Sequence, residues 1–235
     1  MISIFGIPAA GPLAKICGLR RVEDLVAARD AGADLVGLVF APSRRRLEPE
    51  AAGLLLASVP DHPPALGVFV DATVDWMEAV AAQVGLRYFQ LSGDEDPAEA
   101  SRLSLPYLKA IQLRPGDDAA STLHIMTRYR GAVGFVLDSP SAQGGGSGQL
   151  ADWALAGEVI RRAGRPVLLA GGLDPGNVAA GLLTTGAAGA DVSSGVEVDG
   201  WKDAALIAYF VAAVRDQRPV AVAYTGGSGM ERDNR

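Results

Sequence analysis

A short apolar run recurs eight times along the 235 residues, at intervals of about 25 residues, and this recurrence leaves few folds open. The runs are Leu13–Cys17, Ala33–Phe40, Ala65–Val70, Tyr88–Leu91, Leu108–Leu113, Gly134–Asp138, Val167–Ala170 and Ala190–Ser193. Most are almost continuously apolar, as parallel strands are when both faces are covered. Between them lie segments with apolar residues at helical spacing, among them Val22–Ala31, Glu48–Ser58, Val74–Gln83, Trp153–Ala163 and Lys202–Val214. The interval is the length of one strand–helix unit, so the pattern predicts an α/β fold, a single (β/α)8 TIM barrel. An open doubly wound sheet is the competing arrangement, but it usually has fewer strands.

The barrel is expected over residues 1–215, with 216–235 as a C-terminal tail of little fixed structure. No linker suggests a second domain. Cys17 is the only cysteine, so no disulfide can form within the chain, and a reducing, cytoplasmic compartment is expected. The net charge of −6 argues against a nucleic-acid surface, although local loops can still be positive. Residues 1–12 lack the basic start of a signal peptide, and no apolar run is long enough to span a membrane. The 29 glycines suit a fold with many tight strand-to-helix turns.

Active sites of such barrels lie at the C-terminal ends of the strands. Strand 1 ends in Lys15-Ile16-Cys17-Gly18-Leu19 and strand 6 in Leu137-Asp138-Ser139-Pro140. From these two ends Cys17 and Asp138 would face each other across the barrel mouth, one removing a proton while the other donates one. Lys15 lies two residues from Cys17, on the same side of the strand, and an ammonium there favours the thiolate. A carboxyl group at the end of an apolar strand is either a loop cap or an acid of raised pKa.

Three glycine-bearing loops follow strands 6, 7 and 8. Freed backbone N–H groups make phosphate cradles, and the usual site lies after strands 7 and 8. The candidates are Gly171, Gly172, Ser194 and Gly195, with Gly144–Gly148 as the third loop. Ser43-Arg44-Arg45-Arg46 is either a solvated loop or a holder for a carboxylate. Asp152 reads as the N-cap of the helix beginning at Trp153. His62 and His124 close no strand, no Cys/His cluster suggests a metal, and no cofactor motif is present.

Together these strand ends resemble the phosphoribosylanthranilate isomerase family of tryptophan biosynthesis, from about Leu13 to Val214. The most specific pieces are Lys15-Ile16-Cys17-Gly18-Leu19, Leu137-Asp138-Ser139 with Gly145-Gly146-Ser147-Gly148, and Leu169-Ala170-Gly171-Gly172-Leu173 with Pro175 and Asn177. Asp191-Val192-Ser193-Ser194-Gly195-Val196-Glu197 with Lys202-Asp203 completes the set. The resemblance implies an Amadori rearrangement of N-(5'-phosphoribosyl)anthranilate without cofactor or metal. It implies Cys17 as general base, Asp138 as general acid, Arg45 on the anthranilate carboxylate and Asp191 on the substrate beside the phosphate loops. With those roles, the acid limb of the pH–rate profile is expected to report Cys17 and the alkaline limb Asp138. The implied partner is a small phosphosugar, and the implied assembly a monomer or homodimer.

Two positions depart from the family pattern: Ser92 stands where histidine is usual, and Gln112 lies near a usual arginine. A histidine-pathway phosphosugar isomerase is one rival, but that family places an aspartate on strand 1 as its base. A non-catalytic phosphosugar-binding paralogue is the other, opposed by the retained Cys17 and Asp138.

Overall fold

The computed structural model describes residues 11–139 and 152–216. The Gly144–Gly148 loop and the tail from residue 217 onward lie outside these residues. Eight strands close into a parallel barrel in chain order: β1 (Leu13–Cys17), β2 (Leu35–Val39), β3 (Ala65–Phe69), β4 (Tyr88–Leu91), β5 (Tyr107–Gln112), β6 (Ala132–Asp138), β7 (Val167–Leu169) and β8 (Gly189–Val192). Closure pairs β1 with β8, where Lys15 lies beside Asp191. The helices are α1 (Val22–Asp30), α2 (Pro49–Ala57), α3 (Val74–Val84), α4 (Pro97–Ala100), α5 (Ala119–Arg128), α6 (Trp153–Arg162), α7 (Val178–Thr185) and α8 (Ala204–Asp216).

The strand alternation divides the core in two. Leu13, Leu35, Leu66, Val68, Leu108, Val136 and Leu168 point inward and fill the barrel. Ile16, Val36, Leu38, Phe69, Phe89, Phe135, Leu137 and Leu169 point outward and pack under the helices. The same two-residue period, continued to the strand ends, turns Cys17, Gln90, Gln112, Asp138 and Asp191 into the barrel mouth. Each lies on the inward face of its strand, above the apolar filling.

The helices are set locally. On α3, Met77, Val80, Ala81 and Val84 make one buried stripe, Thr73 accepts the Trp76 N–H, and Gly85 ends the helix in the left-handed region. Asp152 caps α6 as expected, its side chain accepting the Leu155 N–H at 3.0 Å. Most boundaries differ from the expected ones by a residue or two, and at the last helix the difference adds an element. Lys202 does not begin the last helix but ends a two-stranded hairpin, β9 (Glu197–Val198) and β10 (Trp201–Lys202), ahead of α8. Asp199 and Gly200 both have positive φ, as the tight turn of such a hairpin requires. None of the described helices is long and apolar enough to cross a membrane.

Candidate active site

A pocket opens at the C-terminal ends of the strands. Cys17, Arg45, Gln90, Ser92, Gln112, Asp138, Gly171, Gly172, Asp191 and Ser194 all line it. Seven of the eight anticipated site residues are therefore gathered round one cavity. The eighth, Gly195, lies just behind it and packs against the Leu173 carbonyl, so that a β-carbon there would have no room. Gly195 in this way draws the β8 loop onto the β7 loop. Gly171, at φ +86°, is also pressed on Ser139, whose backbone nitrogen would lie 2.5 Å from an added β-carbon. Asn177 braces the β7 loop from below, donating to the Gly172 carbonyl at 2.9 Å and accepting the Asp174 N–H at 2.9 Å. The glycines thus shape the loops and also leave their backbone open to the pocket.

Lys15 is completely buried one layer beneath the pocket and meets Asp191 at 2.6 Å. Burial pulls its ammonium toward neutrality, but Asp191 and Cys17 outweigh that and raise its pKa. Lys15 therefore stays charged. The other carboxylate oxygen of Asp191, Oδ1, is buried without a hydrogen-bond partner. It is an acceptor held ready in the pocket for a donor.

Cys17 sits half-buried beside Gly37, where even one added carbon would come within 2.7 Å of the sulfur. Lys15 pulls the thiol pKa down, as expected, yet burial pushes it up by more, and the net shift is upward. Asp138 is raised to about 6, first by burial and then by the charge of Asp191. The Ser139 N–H, donating to Asp138 Oδ1 at 2.8 Å, and Lys15 only partly oppose this. The anticipated order of titration is thus reversed in the free protein, because the aspartic acid ionises before the thiol does. Between them the pair holds one proton, mostly on sulfur, with the thiolate–carboxylic acid form as a minor tautomer.

The three arginines after β2 separate in role. Arg46 pairs with Glu48 at the surface, at 3.1 Å. Arg45 is buried and grips Glu197 with two bonds, Nε to Oε1 at 2.7 Å and Nη2 to Oε2 at 2.9 Å. Arg44 reaches the same carboxylate from outside at 2.6 Å, and Lys202 from inside at 2.9 Å. Burial alone would push Glu197 up, but the bond from Arg45 and the charge of Lys202 hold it below the ordinary carboxylate value. One carboxylate among three cations leaves this side of the mouth positive in an acidic protein. Lys202 also donates to the Ser193 carbonyl at 2.7 Å, and Ser193 Oγ donates to the Cys17 carbonyl at 3.0 Å.

In the sequence Glu197 and Lys202 have no role beyond their place in a motif. Their signal was faint because they belong to the hairpin, not to a strand end. Gln90 likewise had no assignment. Its Nε2 donates to Ser92 Oγ at 3.1 Å, while its buried Oε1 has no partner. His62 and His124 are not among the residues that line the pocket.

Residues 14–213 match the sequence profile of the N-(5'-phosphoribosyl)anthranilate isomerase family. An N-(5'-phosphoribosyl)anthranilate isomerase of Symbiobacterium thermophilum is 40% identical over 219 residues, covering 86% of this chain and 97% of that protein. The crystal structure of the Thermus thermophilus phosphoribosyl anthranilate isomerase superposes with a TM-score of 0.77 at 31% identity, covering 88% of this chain and all of that one. A phosphoribosyl anthranilate isomerase in complex with reduced 1-(o-carboxyphenylamino)-1-deoxyribulose 5-phosphate superposes with a TM-score of 0.75 at 30% identity, covering 87% and 99%.

Proposed function

The chain belongs to the N-(5'-phosphoribosyl)anthranilate isomerase family, and from that premise we propose that Cys17 and Asp138 are the proton-transfer pair of its reaction. The enzyme is an isomerase of tryptophan biosynthesis. It converts N-(5'-phosphoribosyl)anthranilate into 1-(2-carboxyphenylamino)-1-deoxyribulose 5-phosphate by an Amadori rearrangement.

Asp138 gives its proton to the ribose ring oxygen. The C1'–O bond breaks, and the anthranilate nitrogen lone pair forms the C=N bond of a Schiff base. The Cys17 thiolate then takes the C2' proton. The C2'–H electrons become a C1'=C2' double bond, and the C=N electrons return to nitrogen, giving an enolamine. This step leaves a proton on sulfur and none on Asp138, which is the major resting arrangement of the pair. Tautomerisation to the ketone moves a proton to C1' and releases one from the 2'-oxygen. Both transfers require positioned groups and a substrate held still. The roles of holding fall to Gly171, Gly172, Ser194 and Gly195 for the phosphate, Arg45 for the anthranilate carboxylate, and Asp191 Oδ1 for a substrate hydroxyl. A lone, uncrosslinked thiol in the site suits a reducing cytoplasm.

The observation that supports this reading most strongly is the convergence of Cys17 and Asp138, from strands 1 and 6, on one pocket. Steady-state turnover of Cys17→Ser and Asp138→Asn tests it. Each variant is expected to fold and to lose about 10²–10⁴-fold in kcat, the usual worth of one acid–base group. Turnover of either variant within tenfold of the parent refutes its role.

A further inference from the structure

The reading of Arg45 as the carboxylate holder leaves Glu197 unexplained. A buried carboxylate that takes both Nε and Nη2 of Arg45 looks, at first, like a competitor for the substrate. The geometry of the fork argues otherwise. An arginine has two hydrogen-bonding edges, and Glu197 occupies the one formed by Nε and Nη2. Nη1 has no hydrogen-bond partner among the described residues, and Arg45 lines the pocket. The hairpin that carries Glu197 is itself fixed. Lys202 anchors its carboxylate at 2.9 Å, Arg20 donates to the Gly200 carbonyl at 2.6 Å, and Arg21 donates to the Lys202 carbonyl at 3.0 Å. Arg20 and Arg21 both lie against the Trp201 ring, 4.1 and 4.6 Å from its centre. The cluster of Arg44, Arg45 and Lys202 around Glu197 remains net positive, so it still attracts a second carboxylate.

Resting on that reading of Arg45, we propose that Glu197 is a positioning residue that clamps one edge of the Arg45 guanidinium and so presents the other edge to the anthranilate carboxylate. Glu197 touches no reacting atom. It acts by removing the rotational freedom of a long side chain before the substrate arrives, which strengthens binding equally in the ground and transition states. Its loss therefore appears in KM and spares kcat.

The test is a double-mutant cycle on Glu197→Gln and Arg45→Ala, reading kcat, KM and competitive inhibition by inorganic phosphate. Glu197→Gln is expected to raise KM about tenfold with kcat within threefold of the parent. Arg45→Ala raises KM at least as much, and the double variant matches Arg45→Ala alone within twofold. Inhibition by phosphate is unchanged throughout, because that anion is held by the loops after β7 and β8. A merely structural role would lower Tm and kcat together, or move KM in the double variant beyond Arg45→Ala. Either result overturns the proposal, as does a parental KM in Glu197→Gln. A KM below the parent's also overturns it, since that is the outcome if Glu197 competes with substrate. If Glu197→Gln does not fold, Glu197→Asp keeps the charge but withdraws the clamp by one methylene, and the same rise in KM at parental kcat is expected. An unchanged KM in Arg45→Ala refutes the Arg45 reading itself, and the clamp with it. An effect of Arg45→Ala without one of Glu197→Gln refutes only the clamp.

Discussion

At the scale of single residues, the raised pKa of Asp138 has a consequence for stability as well as for chemistry. Its carboxyl group titrates at about 6 in the folded protein, against an ordinary value of 3.8. Between those values the folded state binds a proton that the unfolded chain does not. Stability therefore falls as pH rises through this window, and the loss is complete above it. Two pKa units correspond to about 3 kcal/mol, and partial exposure of the side chain reduces this to about 1–2 kcal/mol. Asp138→Asn removes the buried charge and keeps an oxygen to accept the Ser139 N–H. It should therefore be more stable than the parent by about 1–2 kcal/mol at pH 7.5, with the advantage shrinking toward pH 4. Urea unfolding of both proteins at the two pH values checks this, and a variant no more stable at pH 7.5 would contradict it. A group whose ionisation costs the fold stability is a common mark of a functional residue.

The elements explain which parts of the site could be read from sequence. A strand end advertises itself, because a polar residue at the close of an apolar run of period two has only one place to point. Cys17, Asp138 and Asp191 were legible for that reason, and Gly171 and Gly172 because they follow the β7 run directly. Lys202 was misplaced on the last helix because a two-residue strand carries no periodic signal, and the apolar residues beyond it are helical. Glu197 was opaque for the same reason. The pairing of Arg45 with it depends on a hairpin turn that only the folded chain reveals. The loops after β7 and β8 also support a prediction of their own. Gly195→Ala drives a methyl group into the Leu173 carbonyl and must push the two loops apart. The expected result is a loss of about 1–3 kcal/mol in stability, together with at least tenfold weaker inhibition by inorganic phosphate. Thermal unfolding and phosphate inhibition measure the two effects, and parental values of both would mean that the loops do not depend on this contact.

Across the whole molecule, closure of the barrel brings together what the sequence separates. Lys15 and Asp191 lie 176 residues apart and meet at 2.6 Å because β1 pairs with β8. The sequence placed Lys15 beside Cys17 and foresaw its pull on the thiol, but not the burial that outweighs it. Desolvation depends on everything packed around a group, whereas charge proximity can be read from two positions along a strand. That difference is why the places of Cys17 and Asp138 at the pocket were legible while the order in which they titrate was not. The pH dependence of kcat/KM in the parent and in Asp138→Asn tests the central claim most directly. The parent should give a bell with its acid limb near pH 6, from Asp138, and its alkaline limb above the ordinary thiol range, from Cys17. The substrate's phosphate also titrates near pH 6, but it does so equally with both enzymes, so the difference between the profiles isolates Asp138. In Asp138→Asn only the thiolate is still required, so the alkaline limb should vanish, the acid limb should move up to the Cys17 thiol range, and activity near neutral pH should fall by about 10²–10⁴-fold. An unchanged bell with near-parental activity would contradict the account and leave Asp138 a structural residue.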